Sequence, residues 1–182
     1  MPTPRREHLL DTAEQLFYRD GFHATGIDRI QAESGVAKTT LYKHFQSKDA
    51  LILAVLERAS TRIREELETR TAAQAGTGIQ RILALFEDLH SICEENDFNG
   101  CLFNNAAAEF MYSNPAIRTL AGEHMRWMQA FLERLLEEEG FSTDKALVLL
   151  PMYEGLLTLA RVQDSSVAIE RTLDALVTLL AP

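Results

Sequence analysis

Hydrophobic residues recur with helical spacing along almost the whole chain. In the first helix, Leu9, Leu10, Ala13, Leu16 and Phe17 follow the i, i+3, i+4, i+7 pattern of an amphipathic helix. Similar apolar stripes predict short helices at about 26–33 and 37–45, a long helix at 48–71, and further helices at 79–95, 101–112, 115–139, 143–162 and 166–180. The pattern predicts an all-α protein of about nine helices.

Turn residues at the helix ends divide the chain into two regions. Gly21 is expected to end the first helix in the left-handed conformation, and Thr25 is expected to cap the second helix. We predict an N-terminal head over residues 1–48 and a larger helical bundle over residues 49–182. The long helix at 48–71 is expected to belong to both regions as a connector.

Residues 25–48 carry the most specific pattern in the chain. Two short helices flank a tight turn at residues 34–36, which is the spacing of a helix-turn-helix whose second helix enters the major groove of DNA. Gly35 supplies the positive φ that such a turn requires. The apolar residues expected to face inward and fix the angle between the two helices are Ile27, Ile30, Ala32, Val36, Leu41 and Phe45.

The segment AKTTLYKHFQSKDAL resembles the recognition segment of TetR/AcrR-type transcriptional regulators, in which a small-K-x-T-L-Y-x-H-F-x-S-K-x-x-L pattern is common. The resemblance extends over roughly residues 5–55. It implies a three-helix DNA-binding head and a C-terminal bundle that binds a small-molecule effector and dimerises through its last two helices. Gly26 departs from the family pattern, which favours a capping residue there. Thr25 is therefore expected to provide both the cap and the phosphate contact.

The polar residues of the head can be sorted by the part of DNA that they suit. Hydroxyl, imidazole and ammonium donors suit the phosphate backbone, and we assign this role to Thr25, Tyr42, His44 and Lys48. Lysine can donate to guanine, and a threonine methyl can contact a thymine methyl, so base edges are assigned to Lys38, Thr39, Thr40 and Lys43. The alternative is that these residues form only a solvated helix face.

The C-terminal region holds many aromatic and methionine residues, which make adaptable pocket walls. The residues predicted to bind an effector are Phe86, His90, Phe103, Asn104, Met111, Trp127, Met128, Phe131, Met152 and Tyr153. The alternative is that most of them are ordinary core. Residues 144–180 are apolar on more than one helix face, which predicts burial against a second copy of the chain. Burial within one protomer is the competing interpretation.

No motif for catalysis, a cofactor or a metal is recognised. His90, Cys93 and Glu94 share one helix face, but they lack the paired ligands of a typical metal site. The rival interpretation is a helical enzyme or binding protein with a degenerate head, for which Glu109 and His124 would be the reactive pair. A dimeric protein scaffold is a third interpretation. No membrane partner is predicted, and a reducing cytoplasm is the expected location.

The net charge of −9 and the isoelectric point near 5.0 argue at first against a nucleic-acid binder. The charge is unevenly distributed, however. Residues 1–50 hold seven basic and seven acidic residues, and residues 51–182 carry the whole deficit. Residues 36–48 contain three lysines and no carboxylate. The sequence therefore predicts a ligand-responsive repressor, not an enzyme, whose DNA contact is confined to the tip of the head.

Overall fold

The computed structural model describes residues 4–74, 76–95 and 97–180. In these ranges the chain forms nine α-helices, a short 3₁₀ turn at Thr143–Lys145 and no strand, which confirms the all-α prediction. The helices are α1 (Pro4–Asp20), α2 (Ile27–Ser34), α3 (Lys38–His44), α4 (Lys48–Ala73), α5 (Gly78–Cys93), α6 (Leu102–Phe110), α7 (Pro115–Glu137), α8 (Ala146–Ala160) and α9 (Ser166–Leu179).

Glycines end α1 and α2 as the sequence predicts. Gly21 has φ +90°, and its N–H donates to the carbonyl of Phe17 at 3.0 Å. Gly35 has φ +64°, and its N–H donates to the carbonyl of Gln31 at 3.0 Å. A residue with a Cβ is strained at such φ values, so glycine is the residue that permits both turns.

Side-chain caps begin three of the longer helices. The Ser47 hydroxyl accepts from the Ala50 N–H at 3.0 Å at the start of α4, as expected from its position. Thr77 and Gln80 form a reciprocal capping box that begins α5. Asn114 caps α7 by accepting from the Ala116 N–H at 3.1 Å, and Pro115 follows at the first helical position.

The chain divides into two compact units. The head unit comprises the residues up to Arg64 together with Leu102–Gly122, and the body unit comprises Glu65–Cys101 together with the chain from Glu123 onward. Helix α4 contributes residues to both units, and α6 belongs to the head unit. The boundary between residues 48 and 49 stays a prediction.

The head unit encloses a core built from α1, the helix-turn-helix and the first half of α4. Its fully buried side chains include Leu9, Leu10, Phe17, Phe22, Ile30, Leu41, Leu51, Ile52 and Leu56. The prediction that Ala32 faces inward is wrong, because Ala32 is exposed. Ile30 and Ser34, four residues apart, form the buried face of α2, and position 32 lies roughly 200° around the helix from Ile30.

The body unit has its own core, formed by α5, α7, α8 and α9. Its buried residues include Ile82, Phe86, Leu89, Phe131, Leu135, Leu136, Leu149, Leu156, Ile169 and Leu176. The N-terminus of α5 abuts α7 at Gly78, whose N–H donates to the Glu139 carboxylate at 2.5 Å. A Cβ at position 78 would collide with the carbonyl oxygen of Leu135.

Helix α8 continues through Pro151, which is exposed. Among the described residues, no helix combines the length and the apolar character needed to cross a membrane.

Candidate nucleic-acid interface

Helix α3 buries one leucine and leaves most of its polar residues exposed. Leu41 is fully buried, and Phe45 directly after the helix is buried as well. Lys38, Thr39, Tyr42 and Lys43 are exposed, whereas Thr40 and His44 are half-buried. The buried leucine therefore fixes the rotation of α3, and that rotation displays six of the eight residues assigned to DNA.

Lys38 already has an acidic partner within the head unit. Its Nζ lies 2.6 Å from Oδ1 of Asp28 on α2, and this hydrogen bond raises the pKa of Lys38. Both side chains are well exposed, so solvent screens the pair. Asp28 occupies one of the three donors of the Lys38 ammonium and adds a negative charge beside the predicted base contact.

Thr25 does not occupy the position expected from the sequence. Its side chain is fully buried, and its hydroxyl donates to the carbonyl of Leu16 at 3.2 Å. Gly26 is the residue at the N-cap of α2, and no side chain caps that helix. The predicted cap is therefore wrong, and a buried hydroxyl turned to α1 cannot serve as the predicted phosphate contact. Thr25 instead fixes the approach of the chain to α2.

Lys48 lies at the start of α4 beside the turn between α1 and α2. Its Nζ donates to the carbonyl of His23 at 3.2 Å. Burial lowers the pKa of Lys48, while the carboxylates of Glu109 and Asp49 act in the opposite direction. The ammonium is thus held at the head by one of its three donors, which leaves two for a phosphate.

The same turn is bound by Glu109 of α6, a residue that the sequence reasoning assigned elsewhere. Its carboxylate accepts from the Phe22 N–H at 2.8 Å, the His23 N–H at 2.6 Å and the His23 Nδ1 at 2.8 Å. Burial raises the pKa of Glu109, but the backbone N–H groups of His23 and Phe22 outweigh it, and the net pKa is lowered. The proposed reactive pair of Glu109 with His124 loses its basis, because the carboxylate is committed to this turn.

The sequence carried a faint signal for this role. Glu109 is the single charged residue of the short helix α6, but its partners lie more than eighty residues earlier. No periodicity connects positions so far apart.

The ten predicted effector residues fall into both units. Phe86, His90, Trp127, Met128, Phe131, Met152 and Tyr153 belong to the body unit, and Phe103, Asn104 and Met111 belong to the head unit. Asn104 and Met111 are exposed, and their assignment to an effector site stays a prediction. The buried face of α6 carries Leu102, Phe103, Ala106 and Phe110, and Asn104 lies outside it.

Within the body unit, the aromatic residues stack in pairs. The rings of Trp127 and Phe131 lie 5.2 Å apart, and Tyr153 meets Phe86 edge to face at 5.5 Å. Phe86, Met128 and Phe131 are buried, whereas Trp127, Met152 and Tyr153 are partly exposed at the margin of the core. Burial raises the pKa of Tyr153, so its hydroxyl stays protonated at neutral pH. These residues therefore contribute to the core, which was the alternative interpretation.

A cavity of about 280 Å³ opens at the C-terminal end of α5. His90, Cys93 and Glu94 line it, as their shared helix face predicts. Ala160 at the end of α8 and residues before and in the first turn of α9 complete the lining. Burial raises the pKa of Cys93, and a hydrogen bond with Ser165 partly offsets this. In the described part of the chain, no three metal-binding side chains gather. His90 is the one predicted effector residue among its lining residues.

Both regions of the chain match models of known protein families. Residues 9–55 match the family model described as bacterial regulatory proteins, tetR family, and residues 78–175 match the model described as transcriptional regulator LmrA/YxaF-like, C-terminal domain. The HTH-type transcriptional repressor NemR of Escherichia coli K12 is 32% identical over 133 residues, which are 72% of this chain and 67% of NemR.

Two crystal structures show a similar fold over nearly the whole chain. The structure of SCO4454, a TetR-family transcriptional regulator from Streptomyces coelicolor, has a TM-score of 0.89 at 30% identity and covers 99% of this chain and 90% of that one. The reduced form of E. coli NemR has a TM-score of 0.88 at 27% identity, covering 96% of this chain and 95% of that one. The similarity therefore includes both the helix-turn-helix and the C-terminal helices.

Proposed function

Because this chain belongs to the TetR family of bacterial transcriptional regulators, we propose that it is a ligand-responsive repressor that binds a near-palindromic operator as a homodimer and is released by a small-molecule effector. The family assignment makes the chain a DNA-binding transcriptional regulator and not an enzyme. Repression, dimerisation and effector release are the proposed steps. The relative NemR is named a repressor, which supports the direction of regulation.

The observation that carries the proposal is the exposed polar face of α3. Tyr42 is 43% exposed although the neighbouring Leu41 is fully buried, and Lys43 is exposed beside it. Burial of Leu41 fixes the rotation of α3, and this rotation leaves the Tyr42 side chain exposed. An exposed tyrosine hydroxyl can contact a DNA phosphate. Residues 36–48 contain three lysines and no acidic residue, which favours the approach of this segment to phosphates, although Asp28 of α2 opposes it at Lys38.

The homodimer is supported by apolar side chains that the body unit leaves in solvent on its last two helices and in the turn between them. These are Leu147, Val148, Leu159, Val162, Val167 and Val177, with exposed fractions between 39% and 77%. Exposed apolar patches of this kind mark association surfaces in otherwise well-folded proteins. A two-fold arrangement would pair α8 and α9 of one protomer with the same helices of its partner.

The response to an effector requires that two arrangements of the dimer differ in DNA affinity. Binding to operator DNA needs the two recognition helices about one helical turn apart, roughly 34–36 Å. An effector that binds the arrangement with a different spacing more tightly shifts the population away from DNA. Helix α4 is the proposed lever, because its residues belong to both units.

The test is a fluorescence anisotropy titration of the purified protein on duplex DNA from upstream of its own gene. We expect tight binding whose affinity falls steeply with salt, together with a dimeric mass in sedimentation velocity. Selection of bound duplexes from a random pool should return sequences with two-fold symmetry. Absence of salt-dependent binding to any selected duplex would contradict the proposed function.

A further inference from the structure

We propose that Glu109 is a positioning residue for DNA binding: through the turn between α1 and α2, its carboxylate fixes the Lys48 ammonium in the geometry that contacts the phosphate backbone. The inference deepens the proposed function, because it rests on the assignment of Lys48 to a DNA phosphate. It gives a functional role to α6, a helix to which we assign no direct DNA contact.

Three donors from two consecutive residues converge on one carboxylate. Oε1 accepts from the Phe22 N–H, and Oε2 accepts from the N–H and from Nδ1 of His23. Since an ionised carboxylate only accepts, Nδ1 carries the proton in this contact. Two successive N–H groups bound by one planar carboxylate define the orientation of the peptide plane between them, so the turn is held in one conformation.

The turn is shaped to admit this carboxylate. Gly21 adopts φ +90°, and a Cβ at that position would lie 3.1 Å from Oε1 of Glu109. The next residue of α6, Phe110, stacks on the His23 ring at 4.6 Å and meets Phe22 edge to face at 5.9 Å. The last residues of α6 therefore contact the turn through both a charge and an aromatic ring.

The turn passes this constraint to Lys48 through a single residue. His23 receives Glu109 at its N–H and offers its carbonyl to the Lys48 Nζ at 3.2 Å. A second contact joins the same regions, because the Asn114 side-chain amide donates to Asp49 at 2.8 Å, one residue after Lys48. The position of the ammonium thus depends on α6 and the turn that follows it.

An anchored lysine should bind a phosphate better than a free one. A lysine side chain has many rotamers, and part of this conformational freedom is lost when the ammonium is fixed on DNA. The contact with the His23 carbonyl removes some of that freedom in advance, so less is lost on binding. If the turn shifts, the carbonyl shifts with it and this advantage disappears.

The experiment compares Glu109→Gln with wild-type protein by anisotropy on two labelled duplexes, one from upstream of the gene and one of random sequence. Glutamine retains the shape but offers one amide oxygen, and its NH₂ group opposes one of the N–H donors. We expect affinity for both duplexes to fall about three- to tenfold, since one charge-assisted contact is lost. Glu57→Gln, at an exposed position of α4, makes the same charge change and should bind like wild type.

A double-mutant cycle with Lys48→Ala separates positioning from general destabilisation. If Glu109 acts through Lys48, Glu109→Gln should weaken binding by less than about twofold in the Lys48→Ala background. His23→Ala retains both backbone donors and should produce a smaller loss than Glu109→Gln. Far-UV circular dichroism melts define a temperature at which every variant is folded, and all titrations are made there.

The outcomes separate this inference from the proposed function. If the wild-type protein binds neither duplex, the proposed function fails and the positioning role fails with it. If wild type binds but Glu109→Gln binds as well as Glu57→Gln, the positioning role alone is overturned. An effect of Glu109→Gln that is undiminished in the Lys48→Ala background also overturns it, because the carboxylate would then act by another route.

Discussion

Lys38 at the first position of α3 is bound by Asp28 of α2, with 2.6 Å between Nζ and Oδ1. The lysine that we assign to a base edge therefore already has a carboxylate partner within the head unit. The carboxylate adds a negative charge at the surface that approaches phosphates. Asp28 should consequently limit the affinity for DNA of any sequence.

Asp28→Asn tests this relationship directly. We expect affinity for random-sequence DNA to rise about two- to fivefold at moderate salt, and the salt dependence to steepen, because Lys38 becomes available to a phosphate. Anisotropy titrations at several salt concentrations measure both quantities. A loss of affinity would show instead that Asp28 orients Lys38 productively. Glu33→Gln removes a negative charge at another exposed position of α2 and is the matched control.

Substitutions at residues assigned to phosphates and at residues assigned to bases should change DNA binding in different ways. Lys48→Ala and Tyr42→Ala should weaken binding to all duplexes, and Lys48→Ala should reduce the slope of log affinity against log salt by about one. Thr40→Ala or Lys43→Ala should cost about 1–3 kcal/mol on the selected operator and relax preference at one or two base pairs. Titration of single-base operator variants distinguishes the two behaviours. Equal losses on operator and random DNA for Lys43→Ala would contradict its base assignment.

The lowered pKa of Glu109 predicts a dependence of stability on pH. The pKa of Glu109 in the folded protein is lower than the ordinary value of 4.5, which applies to the unfolded chain. Folding therefore favours the ionised carboxylate. Its contribution is therefore complete above about pH 4.5 to 5 and is lost as the pH falls through the lower folded pKa. Thermal unfolding should show wild type more stable than Glu109→Gln at neutral pH, with the difference shrinking in acid. A difference that stays constant down to pH 3 would exclude the carboxylate as its source.

Two glycines with positive φ should differ in their tolerance of alanine. At Gly35 an added Cβ meets nothing within 4 Å, so Gly35→Ala should cost only the strain of the left-handed conformation, about 1–2 kcal/mol. At Gly21 the same strain is joined by the close approach of Glu109, so Gly21→Ala should cost more. Chemical unfolding of the two variants measures the order. Gly35→Ala as the more damaging change would contradict the geometry.

The proposed dimer surface can be tested by placing a charge on it. Leu147→Glu puts a carboxylate on exposed α8, where we expect it to shift the protein to monomer and to weaken operator binding more than random DNA binding. Sedimentation velocity measures the mass, and anisotropy measures the affinities. Ala130→Glu, on an exposed position of α7, should leave the mass unchanged. A Leu147→Glu protein with the mass of wild type would argue that residues 144–180 do not form the interface.

Local patterns were sufficient to predict the helices and the helix-turn-helix. Gly35 and Leu41 show why: a turn glycine and an apolar residue with helical spacing act within a few positions of their own place in the chain. The exposure of α3 then follows from Leu41 alone. Thr25 was misplaced because its partner, the carbonyl of Leu16, became available only when α1 packed against the entry to α2.

The effector residues show a second limit of sequence reasoning. Phe86 and Phe131 are of the residue types that line pockets, and they are buried in the body core, so their assignment to an effector stays a prediction. Aromatic and methionine side chains serve both purposes, so composition alone does not separate them. Glu109 shows a third limit, since the donors that give its carboxylate a role lie in another part of the sequence.

The close contact between Gly78 and the backbone of α7 limits which amino acids can occupy position 78. Its backbone N–H contacts Glu139, and even one added methyl group would meet the main chain of α7, which no rotamer change relieves. In a library of every single substitution, position 78 should therefore be depleted of all other residues, in contrast to Gly26, which is exposed, has φ −85° and has nothing within 4 Å of an added Cβ. Any larger residue there would need a prior backbone shift near Leu135, so a change at 78 is accessible only after another mutation.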